Sequence, residues 1–229
     1  YFGNIMLQLK GGMEHFHFFK ALQSRSDPRQ TEPDNQLFFS YRLNGVYDNL
    51  NRINFPTSGL YFAFQYSLHT DNFVGMRNNT PLSVLKMDFY KPLPVNDKFC
   101  ITPRINARYV MNDSVPYMYR NIVGGKFDGQ YLQQQISLQG SAGMELMQNA
   151  LLAADLMLHY RFSAKSHLYT NINFTTDSGR LQTLFKGDAY TGVNVGYSSL
   201  TVAGPLRVEL GYSGLSRKFH PFVSFGYFF

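Results

Sequence analysis

Apolar and polar residues alternate with a period of two along most of the chain, which indicates β-strands with two different faces. In residues 60–69, Leu, Phe and Tyr occupy every even position, and mostly small or polar residues occupy the odd ones. The other candidate strands are residues 5–9, 15–22, 37–44, 85–90, 99–109, 152–162, 168–175, 193–198, 206–213 and 221–229. The pattern therefore predicts about eleven strands, most of them near the roughly 9–11 residues that a tilted strand needs to cross a bilayer.

Composition favours a membrane-spanning β-barrel over a soluble β-sheet. The 229 residues are 44% hydrophobic and 16% aromatic, yet no apolar run approaches the roughly 20 residues of a transmembrane helix. The mean hydropathy is only -0.24, as expected where every second residue of a strand is polar. The aromatic end at Tyr227 and Phe229 is typical of a closing barrel strand at the membrane interface.

Connection lengths give independent support, because outer-membrane barrels alternate short periplasmic turns with longer outer loops. If Phe229 faces the periplasm, the predicted periplasmic turns are near 11–14, where Gly11 and Gly12 mark a turn, 48–58, 92–98, 163–166 and 201–205. The predicted outer loops are near 24–35, 71–81, 112–149, 178–190 and 215–219. The long connections mostly fall on the outer side, and the longest, 112–149, is expected to plug the lumen.

Charge and cysteine usage exclude several other classes. The net charge of +6 is modest and the basic residues fall singly, so a nucleic-acid interface is not indicated. Cys100 is the only cysteine, which excludes an intrachain disulfide. His15 and His17 would share one face of a strand as metal ligands, but a third ligand at suitable spacing is missing. No Gly-x-Ser-x-Gly nucleophile motif is present, so we expect no catalytic residue, metal or cofactor within this chain.

The polar faces of the predicted strands carry charged residues that would line the barrel interior. This lumen-facing set is Arg42, Lys86, Asp88, Arg104, Arg108, Asp155, His159 and Arg161. It is interpreted either as a channel wall or dock for the long loop, or as a solvated interior that keeps charges out of lipid. Asp155 and Arg161 are expected to pair with each other or with the loop.

The strand count suggests that more chain belongs to this barrel. Complete single-chain bacterial barrels usually have an even number of strands, whereas eleven would place Tyr1 on the outer side. An unpaired strand edge in lipid leaves backbone groups without partners, at several kcal/mol each. We therefore expect residues 1–229 to be part of a barrel, with strands and perhaps whole domains upstream of Tyr1.

Three segments resemble the bacterial surface antigen family of outer-membrane barrels, which includes the assembly insertase, two-partner-secretion transporters and the barrels of patatin-like phospholipases. They are Tyr47–Gly59, with Phe-Pro-Thr-Ser-Gly at its end, Tyr119–Gly125, with its Gly-Gly pair, and Ala203–Leu206 with the aromatic terminus. The resemblance implies a sixteen-stranded barrel in the bacterial outer membrane, of which this chain would be strands six to sixteen. It also implies that Gly124, Gly125 and Gly129 belong to an inward-folding loop, and that Tyr227 and Phe229 form a sorting signal for the barrel-assembly machinery.

Within the family, residues 147–175 look most like the barrels attached to patatin-like lipid hydrolases. Insertases and transporters of the family carry Val-Arg-Gly-Phe/Tyr after the Gly-Gly, whereas this chain has Lys126-Phe127-Asp128-Gly129, without the arginine. Arginine makes bidentate bonds that lysine cannot, so this departure weakens the insertase interpretation. The leading expectation is a barrel that anchors, and possibly exports, an upstream hydrolase domain. The alternatives are a protein insertase or translocator, and a passive pore. Expected partners are outer-membrane lipids, the assembly machinery and attached periplasmic or surface domains, but not nucleic acid.

Overall fold

The computed structural model describes residues 4–17, 36–70, 81–112, 115–129, 132–141 and 143–226. Almost all of its regular structure is β-strand. The strands are β1 (Ile5–Phe16), β2 (Gln36–Asp48), β3 (Tyr61–Thr70), β4 (Leu82–Tyr90), β5 (Leu93–Pro94), β6 (Phe99–Met111), β7 (Ile122–Gly124), β8 (Gln135–Ile136), β9 (Met144–Leu146), β10 (Ala150–Arg161), β11 (Ser166–Ser178), β12 (Asp188–Thr201), β13 (Gly204–Ser213) and β14 (Lys218–Phe225). Two 3₁₀ helices complete the fold, Tyr117–Tyr119 and Leu181–Lys186, and the second is called the rim helix below.

Ten long strands form one antiparallel sheet in the order β1-β2-β3-β4-β6-β10-β11-β12-β13-β14, and the two-residue β5 pairs with β6 as the eleventh strand. The ten long strands pair in the order in which they occur in the chain. This includes β6 and β10, although residues 112–149 come between them in the sequence. Within the described residues, β1 and β14 are the edges of the sheet. The prediction of an all-β antiparallel sheet of about eleven strands is confirmed. No helix among the described residues is long and apolar enough to cross a membrane.

The sheet has an apolar face and an inner face, as the alternation along β11 illustrates. Leu168, Ile172 and Phe174 are 41%, 48% and 45% exposed, although they are large and apolar. Tyr169 and Asn173 point to the other side and are 4% and 0% exposed. A folded sheet that exposes apolar side chains and buries polar ones is adapted to a lipid surround and a filled interior.

The predicted turn near residues 11–14 is wrong. Gly11 and Gly12 lie inside the single twelve-residue strand β1, where they pair with Tyr41 and Ser40 of β2. Glycine permits a turn but does not require one, and here the ladder with β2 keeps the backbone extended. Residues 15 and 16 of the predicted second strand belong to β1, and residues 18–22 lie outside the described part. The described residues contain ten long strands, and the two-residue β5 is the eleventh strand of the sheet. The expectation of upstream strands stays a prediction.

The described residues of the segment 112–149, called the inner loop, lie against the inner face and form a small sheet of their own. In it β7 pairs with β8 in parallel and with β9 in antiparallel orientation. Val123, Ile136 and Leu138 of the loop are at most 1% exposed and pack with Leu151 and Ala153 of β10. Burial of these apolar side chains fixes the loop on the inner face of the sheet.

Candidate functional site: the dock of the inner loop

Three glycines shape the part of the inner loop that enters the barrel interior. Gly124, Gly125 and Gly129 have φ values of 129°, 73° and 68°, a region that residues with a Cβ rarely adopt. At Gly124 a Cβ would also lie 2.0 Å from the carbonyl oxygen of Gly143. The glycines therefore bend the loop so that Lys126 and Asp128 reach different strands of the inner face, β13 and β6.

Lys126 forms an ion pair with Glu209 on β13. Glu209 is 5% exposed, and its carboxylate also accepts hydrogen bonds from the Tyr169 hydroxyl at 2.5 Å and the Asn194 amide at 2.7 Å. Lys126 donates a second hydrogen bond to Gln139 within the loop at 3.1 Å. Burial lowers the pKa of Lys126, and the Glu209 carboxylate opposes this shift without cancelling it. This pair ties the loop to the carboxyl-terminal side of the sheet.

Asp128 attaches the loop to a second part of the wall, on β6. The Arg104 guanidinium of β6 lies 2.5 Å from a carboxylate oxygen of Asp128 and donates two hydrogen bonds, of 2.9 and 2.5 Å, to Asp88 on β4. The backbone N–H of Ser137 donates to Asp128 at 2.7 Å. Burial alone would raise the pKa of Asp128, but Arg104 and Ser137 lower it below the usual 3.8. One arginine thus joins a loop carboxylate to a wall carboxylate.

Glycines on the barrel wall let the loop backbone come unusually close. A Cβ on Gly192 of β12 would lie 2.2 Å from the carbonyl oxygen of Gln139, and one on Gly211 of β13 would lie 2.5 Å from the Cα of Gly140. Real Cβ atoms do not approach other atoms so closely, so any larger residue at either position must displace the loop. Gly192 and Gly211 are called the glycine track.

A second dock holds the outer end of the loop. The buried Arg108 of β6 donates hydrogen bonds to the Tyr119 carbonyl oxygen at 3.0 Å and to the Asn121 side chain at 2.5 Å. The Tyr119 hydroxyl donates to Glu14 of β1 at 2.8 Å, and Glu14 also pairs with Arg42 of β2. The loop therefore contacts side chains from both ends of the described sheet.

The turn at residues 49–60 approaches the interior from the opposite end. Phe55, at φ 49°, is 9% exposed, stacks on the His167 ring at 4.4 Å and meets the His159 ring edge-on at 5.4 Å. The neighbouring Asn54 side chain accepts a hydrogen bond from Arg207 of β13 at 2.7 Å. A left-handed conformation is costly for phenylalanine, so the contacts around Phe55 must hold it in place.

A cavity of about 500 Å³ remains between this turn and the inner loop. Its walls combine aromatic and charged side chains, among them Phe55, Tyr90, Arg104, Phe127, Asp155 and Arg207. The loop and the turn thus fill much of the interior and leave between them a chamber with aromatic and charged walls.

The structure distributes the sequence-predicted residues as follows. Four of the predicted lumen-facing residues hold or surround the loop, as described above: Arg42, Asp88, Arg104 and Arg108. Asp155 accepts a hydrogen bond from Asn173 at 2.6 Å, and Arg161 donates to the Asp97 carbonyl oxygen at 2.7 Å. Asp155 and Arg161 do not pair with each other, because six residues along β10 separate them by about 20 Å. The other expectation, that they pair with the loop, stays a prediction. Tyr227 and Phe229 lie outside the described residues.

The sequence identified Lys126 and Asp128 only as a departure from the family's motif, and it did not identify Glu209, so the pairs that attach the loop were not predicted. Lys126 directly follows the Gly-Gly pair, so its position was a usable signal, whereas Glu209 could be found only from its location on the wall. Among the described residues, no group of three or more His, Cys, Asp or Glu is placed to hold a metal. His15 and His17 lie with ring centroids 6.4 Å apart.

An antiparallel sheet with an exposed apolar face, a polar inner face and an inward loop defines a transmembrane β-barrel domain. The model of the OMP85 superfamily matches residues 4–229, so the chain belongs to that family. A similar solved structure is BamA from Haemophilus ducreyi lacking POTRA domains 1–3, with a TM-score of 0.69 and 17% sequence identity. The match covers 96% of this chain and 50% of that chain, so this chain spans half the length of that structure. No curated protein matches the chain. The predicted barrel fold and the bacterial outer-membrane location are thereby confirmed.

Proposed function

We propose that this domain is a plugged barrel that inserts polypeptides into the outer membrane or translocates them across it, and that the inner loop must leave its dock for this activity. The observation that carries the proposal is the attachment of the loop to two separate strands of the wall, through Lys126 with Glu209 on β13 and Asp128 with Arg104 on β6. Membership of a family that includes insertases and transporters supports it.

The departure from the family's arginine motif carries less weight than the sequence alone suggests. Lys126 places a cation against a buried wall carboxylate, although lysine provides a point charge and not a bidentate fork. Lys126 therefore attaches the loop to the wall through an ion pair, in place of the bidentate bonds that an arginine could make. Of the two interpretations of the interior charges, this attachment favours a dock for the loop. It does not favour an interior in which the charges are merely solvated.

A second candidate function is anchoring or export of an upstream patatin-like hydrolase domain. Its support is the resemblance of residues 147–175 to such barrels, together with the absence of arginine after Gly125. In that case the loop would stay docked while the attached domain works on one side of the membrane.

A reversible crosslink tests whether loop release is required. Lys126→Cys and Glu209→Cys are introduced together into the full-length protein, which is reconstituted in liposomes and joined with a bis-methanethiosulfonate reagent. The only native cysteine of this chain, Cys100, is buried, so the crosslink can be directed to the new pair. The measurement is the rate at which an added unfolded outer-membrane barrel protein becomes folded, read from its heat-modifiable gel mobility.

The proposal predicts that the uncrosslinked protein accelerates folding, that the crosslink abolishes the acceleration, and that a reductant restores it. No acceleration in either state, with a hydrolase domain found by peptide mapping of the intact protein, would favour the anchor instead. Steady conductance in planar bilayers with the crosslink in place would indicate a passive pore.

A further inference from the structure

The rim helix and its flanks, residues 180–187, form a small flap on the apolar face of the sheet. Thr176 lies on that face of β11, in line with Ile172 and Phe174, which are 48% and 45% exposed. Thr176 itself is only 2% exposed, and its hydroxyl donates a hydrogen bond to the Leu184 carbonyl oxygen at 2.8 Å. The rim helix therefore covers the end of the membrane-facing surface and does not stand above the barrel.

Close contacts fix the flap against the strand. A Cβ on Gly187 would lie 1.8 Å from the Asp177 carbonyl oxygen, so only glycine allows the chain to return this closely to β11. The Ser178 and Thr183 hydroxyls are 2.6 Å apart, and Leu184 is 6% exposed beneath the helix. Thr183 and Leu184 therefore face the strand, and the other residues of the rim helix face outward.

The flap lies at the outer edge of the apolar band. On β10 that band runs from Leu152, which is opposite Thr176, to Phe162 just past the other end of the strand. Ten residues at about 3.3 Å each, tilted by about 40°, span roughly 25 Å, which is about the height of the apolar band in such barrels. The rim helix therefore lies at the depth where acyl chains meet the head groups of the outer leaflet.

The outward side of the flap combines two apolar residues with two cations. Phe185 and Leu181 are 84% and 55% exposed, the former more than Phe174 in the middle of the apolar face. Arg180 and Lys186 flank them and are exposed. The nearby Asp188 pairs with Asp177 and, by the alternation along β12, lies on the inner face of the sheet, away from these cations. Apolar anchors flanked by cations are the composition of elements that lie in an anionic membrane interface.

We propose that residues 180–187 bind a phosphorylated lipid of the outer leaflet. Leu181 and Phe185 enter its acyl chains, and Arg180 and Lys186 contact its phosphate groups. The occupant is a lipid because the flap is continuous with the membrane-facing surface and its charge complements phosphate. A protein partner on this flap is the competing occupant, and the test separates the two.

The apolar half of the proposal is tested by tryptophan fluorescence, since this chain contains no Trp. Phe185→Trp and Leu181→Trp are made separately in the full-length protein, reconstituted in liposomes with brominated acyl chains, and the spectrum of the unsubstituted protein is subtracted. Phe174→Trp serves as the lipid-exposed reference, and Ile53→Trp, in the turn at the opposite end, as the aqueous one. Quenching of both flap positions comparable to Phe174→Trp is expected. Quenching no greater than that of Ile53→Trp would overturn lipid contact and leave a protein partner.

The phosphate half is tested by native mass spectrometry of the full-length protein with added diphosphorylated lipid A. Arg180→Gln combined with Lys186→Gln is expected to weaken lipid binding roughly tenfold or more, because each cation near a charged lipid contributes about 1 kcal/mol. Lys165→Gln, an exposed lysine in the turn at the opposite end, is the matched control and should leave binding unchanged. Equal binding by all three proteins would overturn the assignment of the phosphate contacts. Neither test depends on polypeptide insertion or translocation, so its outcome is separate from that of the proposed function.

Discussion

Replacing Glu209 with glutamine should release the inner loop, because it leaves Lys126 in the interior without a counter-charge. Glu209→Gln keeps the shape of the side chain and its capacity to accept the hydrogen bond from Tyr169. The exposed fractions of the two side chains in the ion pair are 13% for Lys126 and 3% for Glu209. Removing one partner of a buried ion pair costs roughly 3–5 kcal/mol.

This magnitude sets the expected change in loop dynamics. At 1.4 kcal/mol for each factor of ten, Glu209→Gln should increase the population of the released loop by roughly 10²- to 4 × 10³-fold. Lys126→Met combined with Glu209→Gln should be less harmful than the sum of the two single changes, because no charge is then buried alone. The expected coupling free energy is about 2 kcal/mol, within the range for residues in direct contact.

Hydrogen exchange followed by mass spectrometry measures the effect. The Gly125 amide donates to the Gly143 carbonyl oxygen at 3.1 Å, and the Gly129 amide to the Gln135 carbonyl oxygen at 3.0 Å. Both bonds lie within the loop, so their exchange reports the loosening of the loop that is expected once it leaves the wall. Peptides from β11 should keep their protection from exchange. The control variant Lys165→Met should leave the exchange of the loop unchanged. Strictly additive effects, with a coupling below about 0.5 kcal/mol, would refute the argument that this pair holds the loop.

Three further predictions concern the same interior. Gly211→Val should displace the loop by collision with Gly140 and raise planar-bilayer conductance, whereas Gly11→Ala, with no atom within 4 Å of the added Cβ, should not. Phe55→Ala should destabilise the closed turn by roughly 3 kcal/mol and speed its cleavage by an added protease; unchanged cleavage would show that the turn is held elsewhere. Because the pKa of Asp128 is lowered in the folded state, its share of loop stability is full above its usual pKa of 3.8 and is lost as the pH falls through the depressed value. After correction for the intrinsic exchange rate, the protection of loop amides should decrease in that acidic window, and less so in an Asp128→Asn variant.

The sheet could be predicted from the sequence because alternation is a local property. In 60–69 and 206–213, each residue's face follows from its position alone. The failure at Gly11 and Gly12 has the same origin, since a glycine pair reads as a turn until the partner strand is known. Strand pairing is a non-local interaction that periodicity in one segment cannot reveal.

The loop dock was harder to predict from the sequence for the same reason, because its contacts are non-local. Lys126 and Glu209 are separated by 83 positions in the chain and meet only because the loop folds back through the interior. The glycine track was also not recognised, because a glycine on a strand gives no sign of what approaches it. The rim helix was predicted only as part of a loop at 178–190, because its side of the sheet depends on the return at Gly187.

The glycine track also imposes an order of assembly. The loop backbone lies across Gly192 of β12 and Gly211 of β13, so its seat exists only after those two strands have paired. The segment 112–149 precedes both strands in the sequence, yet it can dock only after they have paired. Filling of this part of the interior therefore follows pairing of β12 with β13.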